Sequence, residues 1–211
     1  MHAAVVLALA LLPAADEVPV RQVRFEERGR FLTMSVGLPE LADDALKKRI
    51  RSGFASTIVL RVYLYREGLR EPLGLTVRTY RVSYDLWEER YLVQIQDPSG
   101  YLNLPPFKTE AEALARITQL DGFPLAPLEK VPVGVRHFVA VLIEINPISP
   151  AHLAEMRRWL ARPGGSERVS GGDTFFGSFI SVFVNNKVSE AERELKFRSQ
   201  PFFRPEPGPR K

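Results

Sequence analysis

The chain contains no cysteine. That excludes a disulfide framework, a thiolate metal site, a cysteine nucleophile and a lipid anchor attached through cysteine. Histidine is nearly as scarce, with three residues, His2, His137 and His152. A two-histidine metal site would require the last two to converge across Pro147 and Pro150, and no metal is expected. Charge of one sign is not concentrated either: 29 Lys and Arg face 25 Asp and Glu, a formal net of +4. So mild a balance lacks the basic stripe that phosphate backbones require, and nucleic acid is not an expected partner. The sequence has no G-x-S-x-G elbow, no H-E-x-x-H, no Walker loop and no G-x-G-x-x-G. The pairs Gly164-Gly165 and Gly171-Gly172 lack a strand before and a helix after. No cofactor is expected, and no residue is assigned a catalytic role.

What is present begins with an apolar run from Ala3 to Ala15. It falls short of the roughly 20 residues that cross a bilayer, but it suits the apolar core of a secretory leader. Cleavage is expected after Ala15, ahead of Asp16-Glu17, although only the α-amino group and His2 precede the run and Pro13 occupies a position that favours small residues. The expectation is export to the periplasm or cell envelope. Residues 1–15 are then the signal peptide, 16–203 one α+β domain, and the proline-rich, charged 204–211 a disordered tail.

Strand signals dominate the domain. Leu32, Met34, Val36 and Leu38 alternate with small or polar residues, and Arg21 to Glu26 pairs with them through Arg28-Gly29-Arg30. A helix over Ala42 to Ser52 has Asp43 and Asp44 at its positive end and Gly53 to close it. Ile58, Leu60, Val62 and Leu64 form one face of a long strand; Val59, Arg61, Tyr63 and Tyr65 form the other. In Leu73 to Tyr84 the apolar residues switch from odd to even positions, which predicts a β-bulge near Arg78-Thr79. Tyr91, Val93 and Ile95 return as a strand that ends in the turn Asp97-Pro98-Ser99-Gly100.

Thr109 and Glu112 have capping-box spacing, and Ala111, Leu114, Ala115 and Ile117 make the expected buried stripe of a second helix. Pro124, Pro127 and Pro132 are expected to hold a connection extended. Val135 to Ile145, apolar on both faces, reads as a central strand, with Ile58, Leu60, Val62, Val139, Val141 and Ile143 as core. Ser149-Pro150 opens a third helix, Arg162 to Asp173 is a Gly/Ser-rich loop, and Glu194 to Arg198 makes a last strand. The fold class is α+β: a mainly antiparallel, sandwich-like β-sheet of about seven strands with three or four short helices.

Asp85, Glu88 and Glu89 cluster in one turn, whereas glycosidase chemistry needs carboxyls facing each other across a cleft. His137, between Val135 and Val139, reads as a structural imidazole. Two features suggest an interaction surface. Arg61, Tyr63, Tyr65, Arg78, Tyr80, Arg81, Tyr84 and Arg90 crowd the central strands, where such side chains either grip sugars and anionic headgroups or make ordinary cross-strand pairs. Phe175 to Val184 is apolar at helical spacing; Phe179 and Phe183 are expected to pack inward and Phe175 and Phe176 to stay available to a partner or membrane. The candidate surface is therefore Phe175, Phe176, Arg61, Tyr63, Tyr65, Arg81 and Tyr84.

Four ordered stretches carry a family likeness: Thr79-Tyr80-Arg81-Val82-Ser83-Tyr84-Asp85, Arg90-Tyr91, Phe107-Lys108-Thr109-Glu110-Ala111-Glu112-Ala113, and Phe123-Pro124-Leu125. Together with Glu40 to Gly53 and the Phe-rich stretch, the chain from Leu32 to Phe197 resembles an exported proteobacterial family filed as domain of unknown function forty-three-ninety. It departs from that pattern in its leader, poor in Lys and Arg, and in the loop Arg162 to Asp173. The resemblance implies no reaction, cofactor or catalytic residue, but it implies an envelope-sensing link. The expected function is a non-enzymatic envelope module that binds a protein or a membrane surface. A hydrolase of envelope polymers and a peripheral lipid-binding protein are the competing readings; the oligomeric state is left open. Fractionation of cells expressing the chain is expected to recover it outside the inner membrane with a new N-terminus near Asp16. Full-length protein starting at Met1 in the cytoplasm would overturn the assignment.

Overall fold

Alternation between apolar and mixed residues along Ser56–Arg66 produces the strand on which the molecule is built. The structure, a computed structural model, describes residues 18–147 and 191–204. In chain order its strands are β1 (Val20–Arg21), β2 (Arg24–Arg28), β3 (Phe31–Gly37), β4 (Ser56–Arg66), β5 (Gly74–Asp85), β6 (Arg90–Asp97), β7 (Gly100–Asn103), β8 (Gln119–Pro127), β9 (Arg136–Pro147), β10 (Ala191–Ser199) and β11 (Phe202–Phe203). Helix α1 (Asp44–Arg51) lies between β3 and β4, and α2 (Glu110–Thr118) between β7 and β8.

An 8-stranded sheet runs β1-β10-β9-β4-β5-β6-β7, with β11 also paired to β9, and a 3-stranded sheet runs β2-β3-β8. Every pairing is antiparallel except that of β1 with β10. Ile58, Leu60, Val62, Val139, Val141 and Ile143, the expected core, are each at most 1% exposed. They share one face of the large sheet and form a contiguous apolar cluster with Leu32, Met34 and Phe123 of the small sheet and with Leu46, Ile50, Leu114 and Ile117 of the helices. The arrangement is α+β and sandwich-like, as expected, with more strands and, among the described residues, fewer helices.

Helix ends follow local chemistry. The Asp43 side chain accepts from the Leu46 amide at 2.9 Å, and Gly53 takes φ +80° past the last turn, a conformation that costs a residue without Cβ little. Thr109 and Glu112 form the anticipated reciprocal capping box. The buried stripe of α2 is Ala113, Leu114 and Ile117; Ala111 is exposed and Ala115 half-buried, a correction of one helical position.

Three expectations change. No bulge interrupts β5 near Arg78-Thr79: it runs in unbroken register with β4 and with β6. The apolar residues change parity because Leu75 and Val77 belong to the outer face, opposite Tyr63 and Arg61, while Thr76 and Arg78 turn toward the small sheet. Register shifts occur between β3 and β8 instead, at Leu32/Thr33 and Met34/Val36. The proline-rich connection is strand β8, at the edge of its sheet, where Pro124 and Pro127 sacrifice no ladder to a further strand. Only two α-helices occur among the described residues; the helix expected from Ser149-Pro150, the loop Arg162 to Asp173 and the segment Phe175 to Val184 lie outside them. The segment expected to be a signal peptide and residues 205–211 of the expected tail also lie outside them, whereas Arg204, expected to begin that tail, is held by Glu27 at 2.8 Å and by the Leu128 and Val131 carbonyls.

Leu60→Ala is expected to cost about 2–5 kcal/mol in denaturant unfolding, since the residue is fully enclosed between the sheets. A loss below about 1 kcal/mol would place the core on the other face of β4.

Candidate ligand-binding cleft

The small sheet meets the large one where β8 lies beside the first half of β5, with Thr76 hydrogen-bonded to the Leu125 carbonyl. A cleft of about 690 Å³ opens there, bounded by the first half of β5, the β6–β7 turn, β8 and the β2–β3 hairpin. That volume lies within the range of small-molecule sites. Its walls are mostly apolar, among them Phe31, Leu73, Pro124 and Pro127. Three cations, Arg28, Arg78 and Lys130, meet a single carboxylate, Asp97, in its lining.

Each charged group has a local origin. Arg78 sits on the inner face of β5, its guanidinium 4.6 Å from the centroid of the buried Phe123 ring and 3.3 Å from Asp97. Burial leaves Arg78 Nε without a hydrogen-bond partner among the described residues. Asp97 closes the β6–β7 turn by accepting from the Ser99 hydroxyl at 2.5 Å and the Ser99 amide at 3.0 Å. These bonds, the hydroxyl foremost, together with Arg78 hold its carboxyl below the usual carboxylate range. Arg28 donates to Glu26 and to Asp121, at 2.9 and 3.2 Å, and both raise its already high pKa. Its guanidinium crosses Gly122, where a Cβ would come within 2.2 Å of Nη1. Thr76 donates to the Leu125 carbonyl at 3.1 Å and ties the two walls together at the base.

The anticipated surface residues divide between two faces. Arg61, Tyr63 and Tyr65 lie on the outer face of β4 and Arg81 on the outer face of β5. Arg61 ion-pairs with Glu144, and Tyr65 stacks between Tyr63 and Phe138 at 6.4 and 5.2 Å. Burial pushes both phenols upward, Tyr65 furthest. Tyr84 is on the opposite face, against Tyr91 at 4.7 Å and the core, so it does not join the other four. Tyr80 is core, Arg78 belongs to the cleft, and Arg90 donates to the Glu89 carbonyl at a hairpin tip. Phe175 and Phe176 lie outside the described residues.

His137 is fully buried 5.6 Å from the Phe202 ring, and burial lowers its pKa, as suits a structural imidazole. Asp85, Glu88 and Glu89 share one turn, where Asp85 accepts from the amides of Trp87 and Glu88. Among the described residues no group of His, Asp and Glu could hold a metal ion. Sequence reading missed Arg28, Phe31 and Lys130, which only the meeting of the two sheets brings together. The one local signal was Asp97-Pro98-Ser99-Gly100, legible as a turn but not as a cleft wall.

A family model described as a domain of unknown function (DUF4390) matches residues 15–147, which reach the last residue of β9. No curated protein and no solved structure matches the chain.

The depressed carboxyl of Asp97 makes a signed prediction. Its contribution to stability is complete above the unfolded carboxylate value of about 3.9 and is lost as pH falls through the lower folded value. Asp97→Asn is expected to flatten the acid limb of the stability–pH curve below about pH 4. An unchanged limb in urea titrations would mean that the turn does not depend on that carboxylate.

Proposed function

The chain belongs to the DUF4390 family, and on that premise we propose that it is a non-enzymatic binding module of the bacterial cell envelope, exported through its N-terminal apolar run. Its ligand has an apolar body and an anionic group, held in the cleft between the two sheets. The observation that carries this reading is the lining: apolar walls with Arg28, Arg78 and Lys130 converging on them. In a partly desolvated cleft, cations beside apolar surface favour an amphiphilic anion over either a neutral hydrocarbon or a simple salt. The envelope supplies such molecules as lipids and their breakdown products.

Hydrolysis of envelope polymers is less well supported. It calls for two carboxyls facing each other, and among the described residues the cleft lining offers Asp97 alone, already engaged by Ser99 and Arg78. An envelope protein or membrane surface remains the proposed macromolecular partner, with Arg61, Tyr63 and Arg81 on one sheet face and Phe175 and Phe176 as candidate contacts; Tyr65, at 3% exposure, is enclosed and leaves that set.

Calorimetric titration with a long-chain fatty acid, and with the alcohol of the same chain length, tests the assignment. The acid is expected to bind at least about tenfold more tightly, a difference of about 1.4 kcal/mol, and Lys130→Gln or Arg78→Gln is expected to abolish that preference. Equal affinity for acid and alcohol, or no binding of either, overturns the cleft as an anionic-amphiphile site.

A further inference from the structure

At the opposite end of the β5–β6 hairpin from the cleft, the chain exposes what soluble domains usually enclose. Trp87 is 95% exposed and Leu86 60%, both in the turn between β5 and β6; Phe54, just past α1, is 64% exposed. They form one patch, because Gly53 packs against Leu86: a Cβ there would lie 3.1 Å from Leu86 Cδ1.

The patch is held out rather than left loose. Asp85 Oδ1 accepts from the Trp87 amide at 2.8 Å and the Glu88 amide at 3.0 Å, which fixes the turn's backbone. Glu89 takes φ +51°, a conformation that non-glycine residues adopt at some cost, and this bends the chain back into β6. Phe54 is braced by the Arg49 guanidinium 5.9 Å from its ring centroid. The indole thus stands almost wholly in solvent at the tip of a hairpin whose turn is fixed by hydrogen bonds.

We propose that this tip, Leu86 and Trp87 of the β5–β6 turn with Phe54 beside them, inserts into the headgroup–acyl boundary of a lipid bilayer. Size and shape favour lipid over protein. The three side chains expose on the order of 400 Å², about half of the 800 Å² or so that each partner buries in a stable protein interface. They also lie on a convex turn, which complements a fluid interface better than a protein surface. Tryptophan is the side chain suited to that depth, with an apolar ring and one N–H donor for the headgroup layer. The nearby charges nearly balance: Arg49, Arg51 and Arg90 stand against Asp85, Glu88 and Glu89, and Arg51 is paired with Glu110. Burial of apolar surface, not attraction to anionic headgroups, therefore drives the docking. Because the cleft lies about 30 Å away along β5, docking leaves its mouth unobstructed, and this inference stands or falls independently of the ligand proposed above.

The test uses the full mature chain carrying Trp159→Phe, so that Trp87 is its only indole, with vesicles of pure phosphatidylcholine and of phosphatidylcholine containing phosphatidylglycerol. The expected result is flotation with both vesicles, retained in about 0.5 M salt where surface electrostatics is screened, with a blue shift of the indole emission. In the same Trp159→Phe background, Trp87→Ala and Leu86→Ser are each expected to reduce the partition coefficient at least tenfold without lowering thermal stability. Tyr101→Ala, which removes another exposed aromatic on β7, is expected to change nothing. Absence of flotation, an unshifted emission, wild-type flotation of Trp87→Ala, or binding only to vesicles that contain membrane proteins would each overturn the proposal. The last outcome would assign the tip to a protein contact.

Discussion

The pairing of β4 with β9 is the constraint on which the other elements depend. Their register runs from Ile58 opposite Ile145 to Arg66 opposite His137, and it sets Ile58, Leu60, Val62 and Leu64 beside Ile145, Ile143, Val141 and Val139 on one face. A slip of one residue would send these side chains to the outer face and bring Arg61 and Glu144 into the core. β5 is laid on the far edge of β4 and β10 on the far edge of β9, so both inherit that register. The small sheet and the two helices then cover the apolar face that the pairing creates. With no disulfide or metal ligated by cysteine available, this burial must hold the fold.

The cleft follows from a change of chemistry along one strand. The inner face of β5 is apolar at Tyr80 and Val82, where it is enclosed, and polar at Thr76 and Arg78, which line the cleft beside Leu125 and Phe123 of β8. Arg78 could not lie between fully closed sheets without a heavy desolvation penalty. Its contacts with Phe123 and Asp97 offset part of that penalty, while the opening leaves the guanidinium reachable from the cleft. The polar interruption of the strand and the opening between the sheets are thus aspects of one arrangement.

Much of this was legible in the sequence because it is local. Two-residue alternation identified β4 and its core face; Asp43, Gly53 and the Thr109–Glu112 pair marked helix ends; unbroken hydrophobicity marked β9 as central. What failed depends on partners distant in the chain. The parity change in β5 looks like a bulge until β8 explains why Arg78 faces inward. β8 itself is hidden by Pro124 and Pro127, which read as a linker unless an edge position is known. Tyr84 joined the wrong group for the same reason: its face depends on the uninterrupted register of β5. The site was less legible than the fold, since Arg28, Arg78, Asp97 and Lys130 come from separate elements with no shared motif.

Pro147, at the end of β9, lies directly opposite Ala191, at the start of β10. Neighbouring antiparallel strands can be joined by a turn as short as two residues. The chain between residues 147 and 191 therefore closes a loop whose two ends meet at one rung of the sheet. Because loop-closure entropy grows only slowly with length, a change in the number of residues between those ends costs the pairing of β9 with β10 little. The entropy of holding β9 against β10 is thus set mainly by the closing of that rung and only weakly by how much chain the closure spans.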